Sequence, residues 1–567
     1  MKGLRANLTS YGDEAFSLFL RKAFIKSMGY SDDALDRPII GIANTYSGYN
    51  PCHQTVPQLV EAVKRGVAHA GGLAIDFPTI SLHESFAHPT SMLYRNLMAM
   101  DTEEMLGAIP MDAVVLISGC DKTVPAQLMA AASAGVPAIL VVTGPMMTGS
   151  YRGERLGACT DCRRLWGRYR AGEIDDAAID GITDQLAPTA GTCMVMGTAS
   201  TMACVSEALG MMLPGGACIP AVQADRQRHA EQAGHRAVGL AAERLLPEAI
   251  MTPAAFTNAL RVLLSIGGST NALVHLTAIA GRLGIRVDLD RLDAMSRETP
   301  VLVDCKPAGE HYLEDLHRAG GLLPVLRELA PQLDLDCLTV TGRSLGEDIA
   351  AGPPAWDQNI VRPASQPVYP EGGIAVLKGN LAAAGAIIKP SSATPGLLSH
   401  EGRAVVFESL ADMAERIDSP DLDVHPGDVL ILRGAGPLGA PGMPEAGYIP
   451  IPRKLAQQGV RDMVRISDAR MSGTAFGTVV LHACPEAAAG GNLARVRDGD
   501  HIRLDVANRR LDVVLSDAEL AARPVAPPPE MPSRGYKRLH AEHILQADEG
   551  CDLDFLTRRP FVAAAPL

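Results

Sequence analysis

The sequence predicts an α/β protein: an N-terminal α/β domain whose parallel sheet is covered by helices, followed by a C-terminal β-barrel-like domain. Three observations predict it. At 567 residues the chain exceeds one ordinary core, so two large domains are the natural arrangement. From about Arg37 to Pro220, short apolar runs alternate with helical patterns. Beyond the Pro-rich stretch AGPPAWDQNIVRPASQPVYP, short β runs separated by Gly, Pro and Asp turns take over. The boundary falls near residue 365, giving domains over 1–365 and 366–567.

The elements follow in order. PIIGIANTYS reads as a strand entering a loop, and QLVEAVKRGVAHAG as a helix stopped by Gly71 and Gly72. DAVVLISG and PAILVVTG are apolar runs separated by the helical VPAQLMAAASAG. That order is a βαβ unit and implies a parallel sheet. Ligands bind at the carboxyl ends of such strands, where SGCDK and the segment after PAILVV lie. Residues 221–320 are mainly helical in pattern. GGIAVLKGN, GAIIK, GRAVVF, DVLILRG, HIRLDV and RLDVVL are the β runs of a barrel or sandwich. The last stretch, from APPPEMPSRG onward, is a Pro-rich crossing followed by a helix.

Composition narrows the function. A formal charge of −13 argues against a nucleic-acid footprint, and the short Arg163-Arg164 and Arg509-Arg510 pairs do not alter that. AVVLISG and AILVVTG are too short for membrane spans, and the charged N-terminus lacks a signal-peptide core. Eleven cysteines in such a chain point to a reducing, cytoplasmic setting with thiols as ligands or core residues rather than disulfides.

Three isolated cysteines sit in Gly-, Pro- or Asp-flanked turns: Cys52 in NTYSGYNPCH, Cys120 in LISGCDKTVP and Cys193 in APTAGTCMVMGTAS. Three thiolates around an iron–sulfur cluster leave one iron able to bind a substrate hydroxyl, which suggests a lyase. Cys120 is followed by Asp121 and Lys122. A thiolate, a carboxylate and an amine on one loop must each be satisfied. Asp121 would face a hard cation, with Glu84 and Glu445 as further oxygen ligands for Mg²⁺. Lys122 is a cation for an anionic substrate or, carbamylated, an oxygen ligand. Ordinary loop chemistry is the alternative. Cys204, Cys218, Cys305, Cys337 and Cys484 read as core residues and Cys551 as structural. Cys159 and Cys162 form a CxxC with no second pair at zinc spacing, so they read as incidental. HESFAH is not HExxH, and GPLGAPGMP does not follow the strand–GxGxxG–helix order. Ser472 lies in the small-residue turn SDARMSGTAFGT, where a backbone can approach a ligand closely; a simple Ser/Thr-rich turn is the alternative.

NPCH, SGCDKTVP, GTCMVMGTASTM, GGSTNALVHLTAIA, GNLAAAGAIIK, GPLGAPGMPE and SDARMSGTAFGT, taken in this order, resemble the dihydroxy-acid dehydratase and 6-phosphogluconate dehydratase superfamily from about residue 35 to 490. The resemblance implies a cluster-dependent dehydratase working as a homodimer or homotetramer. It implies Cys52, Cys120 and Cys193 as cluster ligands and Glu84, Asp121, Glu445 and carbamylated Lys122 around Mg²⁺. It also implies Ser472 as the base and Thr474 as a substrate contact. The cluster is [2Fe–2S] in the sugar-acid dehydratases and [4Fe–4S] in 6-phosphogluconate dehydratase, and three cysteines fit both. The base turn DARMSGT and the tail YKRLHAEHILQADEGCDLDFL resemble the aldonate (pentonate) branch. Tyr49, in GYNPCH, has no assigned role.

The reaction implied is loss of water from a 2,3-dihydroxy sugar acid, with Ser472 taking the C2 proton, to give a 2-keto-3-deoxy acid. Acting on 2,3-dihydroxy-isovalerate, as in branched-chain amino-acid biosynthesis, is the alternative within the same chemistry. An electron-transfer protein and a thiol-dependent or zinc hydrolase are alternatives from other classes.

Overall fold

The computed structural model describes residues 1–8, 11–525, 527 and 529–558. Its N-terminal half is built on a four-stranded sheet of β1 (Ile39–Asn44), β2 (Leu73–Pro78), β3 (Ala113–Ser118) and β4 (Ala138–Val142). The order is β2-β1-β3-β4 and every pair is parallel. β3 and β4 are buried along their whole length, so they read as unbroken apolar runs rather than alternating ones.

Helices connect the strands. After α1 (Glu14–Ser27), α2 (Val56–His69) joins β1 to β2, α3 (Arg95–Ala108) joins β2 to β3, and α4 (Thr123–Ala134) joins β3 to β4. α2 presents Leu59, Val60, Val63 and Val67 to the core, a 3.6-residue stripe. Right-handed crossovers in this strand order put α2 on one face and α3 and α4 on the other. A small hairpin of β5 (Gly149–Tyr151) and β6 (Glu154–Leu156) precedes α5 (Thr160–Arg170) and α6 (Asp176–Leu186). α7 (Thr198–Ala208), α8 (Ala224–Glu243), α9 (Pro247–Ile250), α10 (Pro253–Ser265) and α11 (Thr270–Arg282) complete the helical layers. α7 and α11 are buried nearly all round.

The second half is a closed eight-stranded barrel, so of the barrel and sandwich readings the barrel is the one that forms. Its strands are β7 (Ala375–Gly379), β8 (Ala382–Ile388), β9 (Ser399–Phe407), β10 (Val429–Leu432), β11 (Arg465–Ser467), β12 (Val479–Cys484), β13 (His501–Asp505) and β14 (Arg510–Val513). They close in the order β10-β11-β12-β8-β7-β14-β13-β9, with β9 to β12 parallel to one another. Alternation sorts the side chains: Ala404, Val406, Val429 and Ile431 join one core cluster, while Val405, Phe407, Leu430 and Leu432 join another that includes Ile417 and Leu455.

The connecting stretch bridges back to the first half through Val303–Val361 and Val301–Tyr369. The last described segment, after a helix over Gly535–His543, returns there too. Arg95 Nη2 donates to the carbonyls of Gly550 and Cys551, and the fully buried Arg282 pairs with Asp552 at 2.6 Å.

Candidate active site

β1 leads through the Cys52 loop to one face of the sheet, and β3 leads through the Cys120 loop towards the other. The gap between the carboxyl ends of two such neighbouring strands is where doubly wound sheets open a crevice. Cys52 sits in a 3-10 turn (Pro51–His53) whose Asn50 side chain accepts from Cys52 N at 3.1 Å. His53 joins the two loops. Its Nδ1–H donates to Thr45 O at 2.7 Å, which leaves Nε2 to accept from Cys120 N at 2.9 Å. Burial pushes His53 down to about 4, so the ring is neutral, as that pattern requires. Gly119 is needed before Cys120 because a Cβ there would lie 1.8 Å from Thr143 Oγ1.

One ligand atom from each of Cys52, His83 and Cys120 lies within 4.8 Å of the others. The neighbouring Cys120 thiol, then burial, pushes Cys52 far up. Cys193 enters from the loop before α7, and its Sγ is 3.3 Å from Cys159 Sγ. Contact with that thiol, then burial, raises Cys193 as well. Cys159, which looks incidental by its spacing to Cys162, stands at the N-terminus of α5 in contact with Cys193 and lines the same cavity. Cys204, Cys218, Cys305, Cys337, Cys484 and Cys551 are buried.

Beside the thiols, one carboxylate oxygen from each of Glu84, Asp121 and Glu445 lies within 4.8 Å of the other two. Lys122 is fully buried and its Nζ contacts Asp121, with Glu84 at 3.8 Å and Glu445 at 3.9 Å. Arg470, also buried, reaches Glu445 at 2.5 Å, Glu84 at 3.4 Å and Thr90 Oγ1 at 2.7 Å. Burial works to raise the Glu84 carboxyl. The charges of Arg470 and Lys122 and the hydroxyls of Ser91 and Thr90 outweigh it and hold the group well below the carboxylate range. At Glu445 burial wins, and the neighbouring Glu84 charge adds to it, so its affinity for a proton is raised.

The serine turn comes from the barrel, between β11 and β12. Ser472 Oγ and Thr474 Oγ1 are 2.8 Å apart. Three N-terminal-half helices hold this turn at their starts. Thr160 Oγ1 donates to Thr474 O at 2.8 Å, Asn271 Nδ2 to Met471 O at 2.9 Å, and Thr198 packs beside Gly473. Cys52, Cys120, Cys193, Glu84, Asp121, Glu445, Ser472 and Thr474 all line one cavity of about 1050 Å³. Lys122 lies behind that wall, against the three carboxylates. Tyr49 is exposed, edge-on to Phe86.

His53, Arg470 and Cys159 escape the sequence reading. The visible signals are a histidine next to a candidate ligand, an arginine two residues before Ser472, and a second thiol at the start of α5.

An α/β sheet and a closed β-barrel meet at one cavity lined by thiols, carboxylates and the serine turn, the arrangement of an enzyme active site between two halves of a chain. Residues 37–348 match the dihydroxy-acid/6-phosphogluconate dehydratase N-terminal domain, and 359–551 match its C-terminal domain. The chain is 48% identical to the L-arabonate dehydratase of Azospirillum brasilense, covering 95% of this chain and 94% of that one. It is 42% identical to the 6-deoxy-6-sulfo-D-gluconate dehydratase of Pseudomonas putida over 98% and 97%. It is 39% identical to the dihydroxy-acid dehydratase of Acetivibrio thermocellus over 94% and 97%. The chain belongs to the dihydroxy-acid/6-phosphogluconate dehydratase family, within its sugar-acid branch, and is a hydro-lyase. Among the described residues no helix is long and apolar enough to cross a membrane.

Proposed function

We propose that the chain is an iron–sulfur- and Mg²⁺-dependent dehydratase that converts a 2,3-dihydroxy sugar acid, an aldonate such as a pentonate, into the 2-keto-3-deoxy acid. The observation that carries this reading is the meeting of three unpaired cysteines and three carboxylates in one cavity, next to a serine turn. The donor set fits both groups. Thiols suit iron–sulfur clusters, and clustered carboxylate oxygens suit a hard divalent cation. Cys52, Cys120 and Cys193 would hold the cluster, [2Fe–2S] in this reading with [4Fe–4S] as the alternative. Glu84, Asp121 and Glu445 would hold Mg²⁺. Lys122 lies buried against these carboxylates, and carbamylation would turn it into a fourth anionic oxygen ligand.

Bound there, the two groups supply Lewis acidity at the departing hydroxyl and at the substrate carboxylate. The chain's own residues do the rest. Ser472 Oγ takes the C2 proton, and Thr474 Oγ1, at hydrogen-bond distance, orients it. Arg470 fixes Glu84 and Glu445 from behind the site. Ser472 acts in its ionised form and is left as the hydroxyl; the C3 hydroxyl departs as hydroxide and takes up that proton as water, restoring the base and leaving an enol that tautomerises to the keto acid. The higher identity to sugar-acid dehydratases than to the dihydroxy-acid dehydratase supports the sugar-acid side.

Anaerobically prepared protein with iron and sulfide quantified is assayed on pentonates, hexonates and 2,3-dihydroxy-isovalerate side by side. Turnover of the branched acid alone overturns the sugar-acid reading, and activity that survives removal of iron overturns the cluster. Ser472→Ala is expected to lower kcat by about 10² to 10⁴ with the cluster absorbance intact. Loss of the colour with that change makes Ser472 structural.

A further inference from the structure

Five arginines line the cavity: Arg163, Arg164, Arg168, Arg170 and Arg461. Four of them are spent. Arg164 pairs with Glu154 and Asp161, Arg168 and Arg461 with Glu173, and Arg170 with Asp418. Arg163 is the exception, with no carboxylate at ion-pair distance among the described residues. Its Nε is shielded from solvent and has no hydrogen-bond partner.

Arg163 is nevertheless held in place. Its Cζ lies 4.8 Å from the centre of the Tyr448 ring. That ring is fixed in turn by the edge of Phe476 at 6.5 Å and by the buried Arg465, whose Nη1 donates to Tyr448 O. Stacking uses the face of a guanidinium and leaves its in-plane N–H groups free for oxygen acceptors. The helix start locates it further. Cys159, against Cys193, and Thr160, bonded to Thr474, lie one helical turn before Arg163, about 5.4 Å along α5. A rigid cation with unspent donors thus stands one turn away from the thiols and the serine turn.

We propose that Arg163 reads the far end of the substrate, donating to the oxygens carried on C4 and beyond. It is the specificity-determining residue that separates a polyhydroxy acid from a short 2,3-dihydroxy acid with nothing but carbon and hydrogen past C3. The inference rests on the sugar-acid reading above. An unpaired donor on the cavity wall favours the ligand that brings an acceptor and penalises the ligand that brings none.

The test compares kcat/KM for a pentonate or hexonate with that for 2,3-dihydroxy-isovalerate in the wild type, Arg163→Met and Arg163→Lys. In Arg163→Met the long-to-short ratio is expected to fall by about 10- to 100-fold, as loss of a hydrogen bond to a charged group predicts, mainly through KM. Arg163→Lys, which keeps the charge, restores part of the ratio. An unchanged melting temperature and cluster spectrum show that the variants fold. Equal losses on long and short acids, or no loss on the long one, overturn the assignment of Arg163 while leaving the sugar-acid reading standing. A wild type that dehydrates only the branched acid overturns both.

Discussion

Arg470 is the counter-charge on which the carboxylate cluster depends, and replacing it with methionine measures that dependence. Its buried guanidinium lies 2.5 Å from Glu445 and 3.4 Å from Glu84, whose side chains are only 18% and 27% exposed. At an effective dielectric constant of 20 these distances correspond to gross attractions of about 7 and 5 kcal/mol. Desolvating the guanidinium cancels several kcal/mol of that, and removing one partner of a buried pair costs about 3–5 kcal/mol net. For a cooperative unit of about 200 residues that is a fall in Tm of about 6–20 °C. The assay is calorimetry of metal-free protein in chelator, wild type against Arg470→Met, repeated with saturating Mg²⁺. Among the described residues Lys122 is then the cation left at ion-pair distance from the three carboxylates, so if they hold Mg²⁺ as proposed the ion is expected to raise the variant's Tm by more than the wild type's. A fall smaller than about 2 °C, or a smaller Mg²⁺ effect in the variant, refutes the counter-charge argument.

Two further outcomes test the frame around the site. A Cβ on Gly473 would lie 2.3 Å from Ser269 Oγ and 2.9 Å from Thr198 N, so Gly473→Ala pushes the serine turn away from its helices. A displacement of about 1 Å lowers kcat about 10²-fold, and an unchanged kcat shows that Ser472 needs no such fixing. Burial holds His229 and His540 down at about 4, below the ordinary 6.5. The unfolded chain binds the extra protons between those values, so stability is fully present above pH 6.5 and is lost as pH falls towards 4. The loss is about 3 kcal/mol per histidine at most. Urea unfolding at pH 7 and pH 4.5 is expected to show a flatter pH slope for His229→Gln than for the wild type, and equal slopes refute the assignment.

Much of the site is written locally in the chain. β1, β3 and β4 announce themselves as apolar runs ending in polar turns, and those turns carry Cys52 and Cys120. What local pattern does not carry is partnership across sequence. Cys159 looks idle when judged by the spacing to Cys162, because its partner Cys193 is supplied by another loop. His53 looks like a neighbour of Cys52, yet its bond to Cys120 N spans two strands. The apolar run of β12 follows directly on the serine turn and gives no sign of its partners. Its pairing, parallel to β11 and antiparallel to β8, exists only once the barrel closes. Arg470 shows the same limit: an arginine in a turn reads as solvated until the turn is found buried between two halves of the molecule.

The meeting of helix starts and barrel turn also has a consequence for the order in which the protein is made. Every thiol of the cavity has been synthesised once Cys193 is added, whereas Ser472 follows roughly 280 residues later. At about 5–20 residues per second that interval is about 14–56 s. During it the cysteine loops can fold with the sheet while the cavity still lacks the wall that the barrel supplies. Until the barrel folds, the cysteine loops therefore stand more open than they do in the finished cavity.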